Sequence, residues 1–164
     1  MKRYQLSHFV DTSMMAETSA YVLLGDGIET LTENFNAETE TKQWIHQKDG
    51  TTTLKSYTPS FDVERQDCVD DACRTWFKRM INELPTGSDA QTYVVRVDQT
   101  DQVEESGTPV ANTYVAYRRK FTVSATSTGG DAGGDVVDAL NFGGVGDQVK
   151  GKFNTQTLIF TPDA

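Results

Sequence analysis

The stretch DDACRTWFKRMINELP, Asp70–Pro85, decides how the rest of the chain is read, because it carries the clearest helical period in the sequence. Cys73, Trp76, Phe77, Met80, Ile81 and Leu84 fall at i, i+3, i+4, i+7, i+8 and i+11, which places them in one stripe on one side of an α-helix. Asp70 and Asp71 stand where the helix dipole favours anions, and Leu84-Pro85 followed by Gly87 ends the element. A Trp and Phe stripe at this spacing is core rather than a ligand box. Such a helix needs an apolar surface to cover, and the flanking sequence has to supply it.

On both sides the period drops to two. In Thr51–Gln66, Tyr57, Pro59, Phe61 and Val63 share one face, while Thr58, Ser60, Asp62 and Glu64 share the other. Pro59 lacks a backbone donor, so this strand belongs at an edge or carries a bulge. Lys48-Asp49-Gly50 predicts a type I′ hairpin turn between Thr39–Gln47 and Thr51–Gln66. Further upstream, Tyr21–Gly25 reads as a short strand, and Gly25-Asp26-Gly27 turns it toward Ile28–Phe35. After the helix, Thr92–Asp98 points Tyr93, Val95 and Val97 inward and Val94, Arg96 and Asp98 the other way. A polar turn, Thr100–Pro109, leads to a long strand, Asn112–Thr126, and Lys150–Thr161 closes the chain. The predicted fold is mainly β (α+β): an antiparallel β-sandwich or barrel with one amphipathic helix packed on the sheet. At 164 residues it forms a single domain, residues 1–164, with an N-terminal arm at 1–17 and a flexible Gly-rich loop at 126–135.

Several chemistries are poorly supported. LNFGGVGDQVKGKFN, residues 140–154, invites a phosphate-cradle reading, but Val149 stands where GxGxxG needs its third glycine, and Asp147 would face a pyrophosphate with negative charge. Gly143–Gly146 is therefore read as a bend feeding a last strand that carries Phe153, Leu158 and Phe160. A net charge of -9 opposes any grip on nucleic-acid phosphates. Cys68 and Cys73 lack metal-site spacing and are expected as free thiols, Cys73 in the core of a protein kept in a reducing cytosol. His8 and His46 have no Ser or Cys in a recognisable nucleophile setting, and Asp131, Asp135 and Asp138 depart from an EF-hand loop. The expectation is no catalytic residue, no cofactor and no metal, hence no enzyme. No apolar run long enough for a signal peptide or a membrane span is expected either. What is left is a set of strands with two distinct faces, suited to a wall that packs under a helix on one side and meets water on the other.

The order of elements resembles the major tail tube proteins of long-tailed, non-contractile bacteriophages. The likeness rests on VLLGDGIETLTENFN, WIHQKDGTTTLKSYTPSFDVERQD, the helix DDACRTWFKRMINELP, TYVVRVDQ, NTYVAYRRKFTVSATSTGG and LNFGGVGDQVKGKFN, which together cover most of residues 20–162. The resemblance implies a virion structural protein that forms hexameric rings stacked into a tube, around a tape measure protein and closed by a terminator. It is assembled in the host cytoplasm, and DNA passes through an acidic lumen without specific binding. It further implies Asp62, Glu64 and Asp98 as lumen-facing residues, with Arg118 and Lys120 as exceptions that pair across subunits. Inter-subunit or inter-ring candidates are Asp26, Glu29, Glu33, Lys48, Asp49, Asp147 and Lys150. A tail terminator, a secreted ring protein of an injection system and a β-sandwich ligand-binding module, for which Trp44 and Tyr57 would form the aromatic platform, are the alternative readings.

Overall fold

In the computed structural model, which describes residues 1–164, the helix α1 spans Ala72–Glu83. The side chain of Asp71 caps its start by accepting from the Arg74 amide at 2.8 Å, and Leu84 ends it in the left-handed region at φ 47°. Cys73, Trp76, Phe77 and Met80 are buried as the period requires, and Ile81 packs half-buried beside them. Leu84 leaves the stripe and is 61% exposed, because a left-handed cap turns its side chain off the helical face.

Nine strands accompany the helix: β1 (Leu6–Asp11), β2 (Tyr21–Leu23), β3 (Ala37–Lys42), β4 (Thr51–Tyr57), β5 (Ser60–Gln66), β6 (Gln91–Glu105), β7 (Thr108–Gly129), β8 (Val137–Asn154) and β9 (Ile159–Pro162). Seven form one antiparallel sheet, nearly closed as a barrel, in the order β2-β1-β6-β7-β8-β5, with β9 paired to the second half of β8. Strands β3 and β4 form a separate two-stranded hairpin. The predicted class, mainly β with one helix packed on the sheet, is what the chain adopts.

Both faces of the sheet are used. Under α1 lie Val10, Phe61, Val63, Val94, Phe121, Val123, Leu140 and Phe142. A second core on the opposite face gathers Phe9, Tyr21, Val95, Val97, Ala116 and Phe153. Neighbouring residues Phe9 and Val10, or Val94 and Val95, therefore enter different cores, which is the strand alternation expressed with apolar residues on both sides.

Several boundaries depart from the sequence reading. The segment 1–17, expected as an arm, contains β1, whose Ser7–Asp11 are all buried between β2 and β6. Its apolar residues split between the two cores, so no one-sided pattern marks it. The glycines of Gly143–Gly146 do not end a strand: they lie inside β8, where the pairing with β7 shifts register between Arg118 and Lys120. Gly146 has φ 67°, and a Cβ on Gly144 would stand 2.8 Å from the Pro59 carbonyl that accepts its amide. They make a kink that lets one strand serve the first core with Phe142 and the second with Phe153. The expected turn at Asp49-Gly50 is an eight-residue loop, 43–50, and neither residue has positive φ. Two positive φ values mark instead the tight turn Ser106-Gly107, at 53° and 78°, so β6 and β7 run on through the stretch expected as a polar turn. Residues 126–129, expected as loop, likewise continue β7. Pro59 does sit at an edge: it separates β4 from β5, the last strand of the large sheet.

Candidate functional site

The candidate site is a surface rather than a pocket: the side turned away from α1 on β5 and on the adjoining parts of β8 and β7, beyond the second core that occupies this side at β6. Because Phe61, Val63, Phe121, Val123, Leu140 and Phe142 point under the helix, the alternate residues Asp62, Glu64, Asn141, Ser124, Thr122 and Lys120 line the other side. Asp62 and Glu64 are exposed, and Asn141 donates to Asp62 Oδ1 at 2.6 Å. With Glu29 they border a shallow cleft of about 310 Å³. Cross-strand order is firm, since Asp62 opposes Asn141 and Asn141 opposes Ser124.

Asp98 is not part of this wall. It shares the face of Val94 and Arg96, opposes Leu6, and accepts from the Thr100 amide at 2.9 Å. Arg118, expected to seek a carboxylate in another subunit, has its guanidinium 4.4 Å from the Tyr93 ring centre and 4.8 Å from that of Phe160, in its own chain. Glu33 is also engaged internally. It lies 3.0 Å from Arg96 Nη1 and 3.6 Å from His8 Nε2, with its side chain 10% exposed. Arg96 in turn lies over Phe35 and Tyr117, each 5.4 Å to the ring centre. This post holds the segment that enters the β3–β4 hairpin. The other inter-subunit candidates, Asp26, Glu29, Lys48, Asp49, Asp147 and Lys150, are all exposed.

The hairpin stands clear of both cores. Every residue of β4 is exposed, as are all but one of β3. Its loop carries Trp44, 58% exposed, and Ile45, fully exposed. Trp44 lies at the tip, while Tyr57 opposes Ala37 at the root, so the two aromatics do not meet in one platform. Sequence reading placed Lys48–Gly50 at a projecting tip but missed Ile45 as its most exposed apolar side chain.

Inside the subunit, a charged network fastens the helix to the sheet. Buried Arg65 donates to the Val69 carbonyl and to Asp71, both at 2.9 Å. Lys78 Nζ lies 2.8 Å from buried Asp138 and 3.2 Å from Asp67, which also pairs with Arg74. The hydrogen bond from Arg74 holds Asp67 below the usual carboxylate range, and that from Lys78 to Asp138 raises the lysine. Cys68 and Cys73 are free thiols, and burial pushes Cys73 up to about 11. At His8 burial outweighs Glu33, and together with Arg3 and Arg96 it lowers the imidazole pKa; Arg119 lines the same small recess. A depressed folded pKa means that stability present above the unfolded value of 6.5 is lost as pH falls below it. Thermal melts from pH 7 to 5 are expected to show Tm falling with pH, and the fall to flatten in His8→Phe; equal slopes in both proteins would count against this assignment.

The fold is shared with chains of solved tail structures. It superposes on the SPP1 tail tube, determined by solid-state NMR and cryo-EM, with a TM-score of 0.63 at 13% identity, over 92% of this chain and 78% of that one. It also matches a chain of the native gene transfer agent virion, TM-score 0.60 at 12% identity, over 90% of this chain and 96% of that one. The tail of the empty gene transfer agent particle, obtained with helical refinement in C6 symmetry, matches equally, with TM-score 0.60 at 12% identity and the same coverage. No protein-family model matches the chain, and no curated protein aligns with it. No helix is long and apolar enough to cross a membrane.

Proposed function

We propose that this chain is the subunit of a tail tube: copies close into rings, the rings stack, and DNA passes along an acidic wall built around the exposed face of β5 and the adjoining parts of β8 and β7. The observation that carries the reading is the fold shared over nine-tenths of the chain with the SPP1 tail tube and the gene transfer agent tail. Two features support it. The sheet ends at β2 and at β5, the latter bonded along its outer side only at its two ends, to Asn34 and Gly27, and ring closure would pair or cover the edge groups left over. The β5 end of the face opposite α1 is polar and carries Asp62 and Glu64, and like charge keeps phosphates from adhering to a wall. On this reading Asp147 and Lys150 face a neighbouring subunit, and Asp26, Glu29, Lys48 and Asp49 face the next ring. A tape measure protein and a terminator set the tube's length and end. Assembly takes place in a bacterial cytoplasm before incorporation into a virion tail. The role is structural and requires no catalytic residue or cofactor.

Negative-stain electron microscopy of the purified protein, concentrated across a salt series, is the direct check. Rings and tubes with a central channel are expected. Monodisperse monomers at every concentration and salt would overturn the proposal.

A further inference from the structure

The chain contains two Asp-Gly steps, Asp26-Gly27 and Asp49-Gly50, and the fold holds them differently. The first is the middle of a tight turn, closed by the Ile28 amide donating to the Gly25 carbonyl at 3.0 Å, with Gly27 at φ 80°. Its glycine is wedged against β5. The Gly27 carbonyl accepts from the Gln66 amide at 2.9 Å, and a Cβ on Gly27 would stand 2.6 Å from the Gln66 carbonyl oxygen. The second step ends the loop 43–50, where the Gln43 side chain donates to the carbonyls of Gln47 and Lys48 at 3.1 and 2.9 Å. Beyond Lys48 that anchoring stops. Asp49 and Gly50 are exposed, the Asp49 carboxylate has no hydrogen-bond or ion-pair partner, and the Gly50 amide donates to nothing.

We propose that Asp49-Gly50 is a site of spontaneous isomerisation to isoaspartate in the free chain, and that the fold protects Asp26-Gly27 from the same reaction. The Gly50 amide nitrogen attacks Asp49 Cγ. A bond forms between them, and the carboxyl hydroxyl leaves as water with the amide proton, closing a succinimide ring. Water then opens the ring at one of its two carbonyls. Breaking the bond from Gly50 nitrogen to Cγ restores aspartate. Breaking its bond to the Asp49 backbone carbonyl carbon leaves the main chain running through Cβ and Cγ, with that carbon as the free carboxylate. The water lost in the first step is regained in the second, so mass and charge are unchanged and no oxidant or enzyme is needed. Ring closure requires the side chain and the next amide to rotate into contact, which a residue without Cβ hinders least. Asp49 and Gly50 break no hydrogen bond in doing so, whereas Gly27 has to leave its turn and lift off Gln66. The product adds a methylene to the main chain just before Thr51, which pairs with Lys42 as the first rung of the β3–β4 hairpin, so that rung is displaced. This chemistry is independent of the tail tube reading.

The test is to age the purified chain in warm neutral buffer, digest it, and compare the peptides that hold the two steps. Because mass does not change, isoaspartate is read by chromatographic separation and by methyl labelling with an isoaspartyl methyltransferase and S-adenosylmethionine. Asp49 should accumulate isoaspartate at least about tenfold faster than Asp26, since only the second site must open locally before it reacts. In chain aged in denaturant the two rates should converge, because the difference lies in the fold. Asp49→Glu keeps the charge but would need a larger ring, and it should abolish labelling of its peptide. The hairpin stands clear of both cores, so this variant should fold as wild type does. Equal rates at the two steps in the folded chain, or no isoaspartate at Asp49 under conditions where the denatured chain forms it, would overturn the proposal.

Discussion

Phe142→Ala is expected to cost about 3–5 kcal/mol of folding stability, the usual range for deleting a buried phenylalanine, and to lower Tm by roughly 6–20 °C at 2–4 °C per kcal/mol. Phe142 is fully buried and stacks on Phe61 with ring centres 4.4 Å apart and planes at 10°. Phe121 meets it edge-on at 6.3 Å, and Trp76 of α1 lies 6.0 Å away. The residue thus joins the edge strand β5, the central strand β7 and the helix, and its loss leaves a cavity whose walls belong to four elements that cannot all close on it. Placed one residue before the Gly143–Gly146 kink, it also fixes where β8 leaves the first core. Ile45→Ser is the contrasting change: a fully exposed residue removed from the hairpin tip should alter stability by no more than about 0.5 kcal/mol. Thermal and denaturant unfolding of the two variants separates the cases, and a Phe142→Ala loss below about 1 kcal/mol would contradict this account of the core.

How legible the chain is follows from how its apolar residues are distributed. The helix and β5 bury one side only, so a single period marks them, and Phe61, Val63, Trp76 and Phe77 can be placed from sequence. Strand β1 buries both sides, with Phe9 in one core and Val10 in the other, and such a strand has no amphipathic signature. Glycine is ambiguous for a related reason. Asp49-Gly50 and Gly143–Gly146 carry turn composition, yet the first lies in a wide loop and the second inside a paired strand, because cross-strand partners decide what a permissive backbone does. Ser106-Gly107, with the weaker composition, makes the tight turn.

The candidate wall was half legible. Asp62 and Glu64 follow from alternation against Phe61 and Val63, which fixes their side of the sheet. Asp98 stands apart from them because the same alternation, carried along β6, puts it on the side of Val94 and Arg96, where Glu33 from the segment after β2 meets Arg96. Arg118 and Glu33 were expected to reach outward. Each instead has partners from distant parts of its own chain, aromatic rings for the arginine and Arg96 for the glutamate, which no local spacing reveals.

Reversing the wall's charge is expected to change its behaviour toward DNA more than any other surface change. In Asp62→Lys with Glu64→Lys, two carboxylates on the exposed face of β5 become two ammonium groups, repeated around every ring. Neither side chain enters the core, and both stand in an acidic neighbourhood with Glu29, so folding and assembly should survive. One charge pair at about 4 Å is worth about 1 kcal/mol in water, and several acting on the same duplex together exceed the 1.4 kcal/mol that corresponds to tenfold. Tubes assembled from the double variant should therefore retain short duplex DNA at least about tenfold more strongly than wild-type tubes at low salt. The gain should fall steeply as salt rises, because phosphate contacts release counterions. Asp62→Asn with Glu64→Gln removes repulsion without adding attraction and should lie between the two. Co-sedimentation of labelled DNA across a salt series measures all three. If intact reversed tubes retain no more DNA than wild type, the β5 face is not the wall that DNA meets.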